Sequence, residues 1–89
     1  MAYKILIKKS VIKGIAKILP NIQKKFRALV EVLQTSGTRG ATGWPNFSKL
    51  DGNKYHCHLT YHYVACWTDE KGTLTIEVYY VGSRESAPY

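Results

Sequence analysis

The sequence predicts an α+β domain: two N-terminal antiparallel helices packed on a small, mostly antiparallel sheet, in the order β-α-α-β-β-β. Three observations carry this. Residues 11–34 repeat apolar side chains at helical spacing on either side of a Leu-Pro-Asn break. Residues 55–81 hold three runs rich in β-branched and aromatic residues, separated by turn signals. A short apolar run, "YKILIK", precedes the helices.

Residues 3–8 read as the opening strand. Ser10 is suited to cap the helix that follows. In "SVIKGIAKIL", Val11, Ile15 and Ile18 form one stripe, and Lys13 and Lys17 another. Gly14 weakens this helix, so it should be short. Leu19-Pro20-Asn21 ends it, because a residue before proline avoids the α region. A second helix runs from Ile22 to Gln34, opened by Pro20 or Asn21. Its stripe is Ile22, Phe26, Leu29, Val30 and Leu33, with Lys24, Lys25 and Arg27 lying off it. "TSGTRGATGWPNFSKLDGN" reads as a loop, from its four glycines, proline and small polar residues. Strands are expected at Tyr55–Thr60, Tyr63–Thr68 and Leu74–Val81, with a turn at Asp69-Glu70-Lys71-Gly72. Tyr79 and Tyr80 should then point to opposite faces, one of them into the core. Trp44, Phe47 and Trp67 are read as packing residues.

The chain of 89 residues makes one domain, 1–89, with one modest core. No apolar run is long enough to cross a bilayer. The first twenty residues are too broken by lysine for a signal peptide, so the expected location is cytoplasmic and both cysteines should be reduced. Charge is lopsided. Residues 1–50 carry ten Lys and Arg against one acid, whereas residues 51–89 carry three against five. A cationic half of this kind fits a polyanionic partner, nucleic acid or an acidic protein.

The chemistry concentrates in "KYHCHLTYHYVACW", residues 54–67, which holds all three histidines and both cysteines. Strand alternation puts Tyr55, Cys57 and Leu59 on the core face. It leaves His56 and His58 together on the other, open face, roughly 7 Å apart. His-x-His can chelate zinc, but Cys57 points away and no acid sits in the stretch, so no metal site is expected. A Cys57–Cys66 disulfide is sterically conceivable and disfavoured by the compartment. Two histidines near cationic side chains suit phosphodiester chemistry. One takes a 2′-hydroxyl proton, another group protonates the leaving 5′-oxygen, and Arg or Lys steadies the charge on phosphate. A pair of surface histidines without a role is the alternative.

The whole chain resembles the RelE/ParE superfamily of toxins from bacterial and archaeal toxin–antitoxin pairs. "MAYKILIKKSVIKGIAKILPNIQKKF" is similar to that family's opening strand, short helix, Leu-Pro turn and second helix. "KLDGNKYHCHL" is similar to its Leu-x-Gly … Tyr-basic-x-basic-Leu strand, and "VYYVGSRESAPY" to its closing V-x-x-V-G-x-R … Y. The resemblance implies a metal-independent endoribonuclease, an mRNA interferase that enters the ribosomal A site, cleaves through 2′-hydroxyl attack and inhibits translation. It implies no cofactor. Its partners would be a cognate antitoxin, the ribosome and mRNA, without a membrane.

Carried over by position, the catalytic residues are His56 and His58, Arg84 and Tyr89. His62 is a candidate for the place of an arginine that the family often carries on its second hairpin strand; Tyr63 is the other. Lys54, Lys13, Lys17, Lys24, Lys25 and Arg27 would contact RNA. Histidine in place of the lysines common at 56 and 58 shifts the role from charge stabilisation toward proton transfer. Two other functions share this resemblance: a ParE-type poison of DNA gyrase without nuclease activity, and an inactive, toxin-like binding protein.

Overall fold

The computed structural model describes residues 2–70 and 72–89. It is an α+β domain with two N-terminal helices and one five-stranded sheet. β1 (Lys4–Ile7) leads through α1 (Lys9–Ile15) to α2 (Pro20–Ser36). A 3-10 segment (Gly37–Ala41) and a loop reach β2 (Ser48–Asp51). Then come β3 (Lys54–His58), β4 (Tyr63–Glu70) and β5 (Thr75–Ser83), closed by a 3-10 turn, Arg84–Ser86. The order across the sheet is β1-β5-β4-β3-β2, with β1 parallel to β5 and every other pair antiparallel.

The helices obey the apolar period. Ile22, Phe26, Leu29 and Leu33 of α2 are buried, whereas Lys24, Lys25 and Arg27 face solvent. Pro20 fits the first turn because it lacks an N–H that would go unbonded there. In α1 only Val11 is buried, and Ile15 and Ile18 are half-buried. Ser10 lies inside α1 and caps nothing; the helix starts one residue earlier, with Lys8 before it and no side-chain cap. Gly37 ends α2 with φ of 68° and its N–H bonded to Leu33 O. A Cβ at Gly37 would stand 2.5 Å from Cζ of Tyr3, so the close approach of β1 to the end of α2 requires glycine.

The sheet corrects the loop reading. Ser48–Asp51, inside the stretch expected to be irregular, forms the edge strand β2, pairing Ser48 with His56 and Lys49 with Tyr55. Its order comes from β3's backbone groups, not from its own propensity. β4 and β5 each extend two residues beyond the expected strand ends. Of the expected turn, Asp69 and Glu70 belong to β4, and Lys71 lies outside the described residues.

The core is Cys57, Leu59, Ala65, Trp67, Ile76 and Val78 from the sheet against Val11 and the α2 stripe. Trp44, Phe47 and Tyr55 pack on its rim, with Phe47 and Tyr55 stacked at 6.0 Å. Trp67 is fully buried, and its Nε1–H donates to Thr38 Oγ1 at 3.0 Å. Thr38 in turn donates to Asp69 Oδ2 at 2.6 Å, so the 3-10 segment is tied to the sheet.

Register slips between Cys66 and Trp67: Trp67 faces Val78, but Cys66 faces Tyr80, and Tyr79 is the extra residue. This β-bulge corrects the expectation for the two tyrosines. Neither enters the core. Tyr80 pairs across from Cys66, and burial first, then the neighbouring Cys66 thiol, raise the Tyr79 phenol.

Candidate active site

The face opposite the helices carries His56 and His58 of β3, Cys66 and Val64 of β4, and Ser48 of β2, because residues paired across antiparallel strands share a face. The expectation of side-by-side imidazoles holds: their rings are 5.9 Å apart, centroid to centroid. The expectation of an open face does not. His56 is 7% exposed and His58 6%. Two later segments cover them. The loop before β2 closes on His58, whose N–H donates to Pro45 O at 2.8 Å. The tail returns over His56, where the Tyr89 ring lies at 4.5 Å.

His56, His58, Arg84 and Tyr89, together with Asn46 and Ser48, line one cavity of about 400 Å³. Four of the five expected catalytic residues therefore meet. They arrive from β3 and, 26 or more residues later, from the turn and tail after β5. Arg84 is aimed by the β3–β4 turn. Its N–H donates to His62 O at 2.8 Å, and its guanidinium sits 4.8 Å over the Tyr61 ring. The fifth residue, His62, does not line the cavity. Its ring is exposed and edge-on to Tyr61 at 4.9 Å, and its backbone carbonyl holds Arg84.

A second cavity of about 460 Å³ adjoins the first, sharing Asn46 and His58, and adds Lys25, Thr60 and Tyr61. Of the cations expected to contact RNA, Lys25 alone borders this space. Lys13, Lys17, Lys24 and Arg27 stand exposed on the helices and Lys54 at the start of β3. Arg27 instead rims an apolar groove of about 230 Å³ formed by Ile7, Ile15, Phe26 and Val30.

Electrostatics favour neutral groups at the covered end. Burial first, and then the charge of His58, push the His56 imidazole below its ordinary value, partly offset by a backbone contact with Ser48. Burial also raises the Tyr89 phenol, against a lowering by Arg84, so Tyr89 is a protonated hydrogen-bond donor. The Cys66 thiol is pushed up to about 11, mainly by burial, and is inert as a nucleophile. Among the described residues, no three His, Cys, Asp or Glu side chains converge as metal ligands. The arrangement offers an imidazole pair, one fixed cation and a phenol around a space that admits a nucleotide phosphate.

Sequence reasoning missed Ser48 and Asn46. Ser48 Oγ lies 3.0 Å from His56 Nδ1, and Asn46 adopts the left-handed conformation, φ 52°, between the two cavities. Both sit in the stretch read as a loop; the pairing of β2 with β3 reveals Ser48, and the fold of the loop before β2 brings in Asn46.

Neither a protein-family model nor a curated protein sequence matches the chain. Solved structures do. The archaeal RelE–RelB complex from Pyrococcus horikoshii OT3 matches with a TM-score of 0.82 at 19% identity, over 98% of this chain and 100% of the other. The YoeB–YefM complex from Staphylococcus aureus matches with a TM-score of 0.71 at 12% identity, over 94% and 99%. The YoeB dimer from the same organism matches with a TM-score of 0.68 at 14% identity, over 89% and 93%. The chain therefore shares the fold of these RelE and YoeB chains.

Proposed function

We propose that this RelE-fold chain is the toxin of a toxin–antitoxin pair and cleaves messenger RNA on the ribosome. The observation that carries the reading is the meeting of His56, His58, Arg84 and Tyr89 around one cavity. An imidazole takes the proton of a ribose 2′-hydroxyl. The 2′-oxygen attacks the adjacent phosphorus. The bond to the 5′-oxygen of the next nucleotide breaks, and that oxygen leaves with a proton from a second group. The products are a 2′,3′-cyclic phosphate and a 5′-hydroxyl end. Arg84 neutralises the charge that builds on the phosphate oxygens, and Tyr89 donates a hydrogen bond beside His56. Because the nucleophile is the RNA's own hydroxyl, the reaction calls on no metal or cofactor.

Lys54 and the helix cations Lys13, Lys17, Lys24, Lys25 and Arg27 contact ribosomal RNA or message in this reading, by charge rather than by sequence. The inhibitory partner is a cognate antitoxin. The pairing of RelE with RelB and of YoeB with YefM in the similar structures supports it. An acidic antitoxin segment would suit the basic helices, where the apolar groove beside Arg27 offers an anchor, or would cover the cavity itself.

The test is the double substitution His56→Ala, His58→Ala. The variant should fold, bind programmed ribosomes, and lose both message cleavage and growth inhibition. If it stays fully toxic, the site is elsewhere. If wild-type induction damages DNA and leaves messages intact, the chain is a gyrase poison.

A further inference from the structure

We infer that Ser48 is a positioning residue that holds the Nδ1–H of His56 and so presents Nε2 of that ring to the cavity as the general base. The inference rests on the cleavage reading above and assigns its first proton transfer.

The geometry begins with pairing. Ser48 and His56 are direct partners across β2 and β3, so both side chains rise on the same face. Ser48 Oγ lies 3.0 Å from Nδ1. An imidazole nitrogen in such a contact either donates or accepts, and the other nitrogen takes the opposite role in the neutral ring. Exposure chooses: Ser48 stands in solvent, so its hydroxyl proton has water to bond, and the Oγ lone pair is free for Nδ1–H. Nδ1 therefore keeps its proton against β2, and the lone pair is on Nε2, on the far edge of a ring that lines the cavity.

The groups facing His56 are His58 on its own strand, Cys66 across on β4, and Tyr89 and Arg84 from the tail. Tyr89 and Cys66 are neutral. A charge on His58 opposes one on His56, so the pair holds one proton more readily than two. Nε2 of His56 takes the 2′-hydroxyl proton, and the proton that leaves with the 5′-oxygen comes from protonated His58. Water restores both before the next turnover. Ser48 acts through the His56 ring.

The tautomer is read directly by 15N NMR of protein labelled at histidine, above the titration range of His56. Wild type should show a protonated Nδ1 and a bare Nε2 at His56. Ser48→Ala should mix the two tautomers and lower the rate of cleavage on programmed ribosomes by about tenfold, part of the hundredfold or more that a placed base supplies. KM should not move. Ser48→Thr keeps the hydroxyl and should restore both readouts. A cleaving wild-type protein with its proton on Nε2 overturns the role of Ser48 alone. So does a Ser48→Ala protein with an unchanged tautomer. The expected tautomer in a wild-type chain that cuts no message overturns the base assignment through the cleavage reading instead.

Discussion

The guanidinium of Arg84 stacks over Tyr61 at 4.8 Å, and this contact explains an otherwise odd residue, a tyrosine 68% exposed at the tip of the β3–β4 turn. Tyr61 gives the cation a surface on which to rest while its backbone N–H is tied to His62 O. An exposed pair of this kind is worth about 0.5–1 kcal/mol.

Tyr61→Ala should therefore slow cleavage by about two- to fivefold, the same free energy expressed as a rate. Tyr61→Phe should not slow it, because the ring face is kept. Single-turnover cleavage of a ribosome-bound message measures both. An unchanged Tyr61→Ala rate would mean that Arg84 holds its position through the backbone alone.

Stability should fall in mild acid because of His56. Its folded value is lowered below the ordinary 6.5, first by burial and then by His58. Below that pH the unfolded chain binds a proton that the folded chain refuses. The free energy of unfolding thus decreases as pH drops from 6.5 to the lowered folded value, and the loss is constant further down. Urea midpoints across this window should slope for wild type and flatten for His56→Gln. Equal slopes would place the acid sensitivity in other groups.

Both thiols should resist alkylation in the native protein. Cys57 is raised to about 12, by burial and then by Cys66, and Cys66 to about 11. Neither has exposed surface. Iodoacetamide should modify them at least about a hundredfold more slowly than a free thiol, and at ordinary rates in denaturant. Mass spectrometry of native digests reads this residue by residue. Fast labelling of Cys66 but not Cys57 would reveal a tail that lifts from the β4 surface.

Thr38 should matter more than its half-exposed position suggests. It accepts from buried Trp67 and donates to Asp69. Thr38→Val leaves the indole N–H without a partner at nearly unchanged volume, and should cost about 1–3 kcal/mol. Denaturant unfolding measures it. A cost near zero would show that water replaces the hydroxyl.

Much of this was legible in the residues, and the misses have physical causes. A period of 3.6 marks α2 because its stripe is unbroken from Ile22 to Leu33. Alternation alone separates Cys57 from the two histidines. It does not foresee their burial, which comes from Pro45 and Tyr89, neither of them in the strand. β2 is invisible to propensity because a four-residue edge strand is ordered by its neighbour. Ser48 goes unnoticed with it. Arg84 and Tyr89 came from family resemblance; no local pattern links them to residues 56 and 58. His62 was a fair candidate by type, and its carbonyl turned out to be the part in contact with Arg84.

The bulge at Tyr79 has a last consequence. Before it, the core side chains of β5 are even-numbered, Ile76 and Val78; after it, the core side chain is Val81. The strand changes parity midway. Were Tyr79 to take a place in the ladder opposite Cys66, Tyr80 would turn toward the core and Val81 away from it, and the turn that brings Arg84 to the histidines would leave the sheet half a pleat out of phase. One odd residue lets a single strand build the hydrophobic wall at one end and deliver a cation to the opposite face at the other.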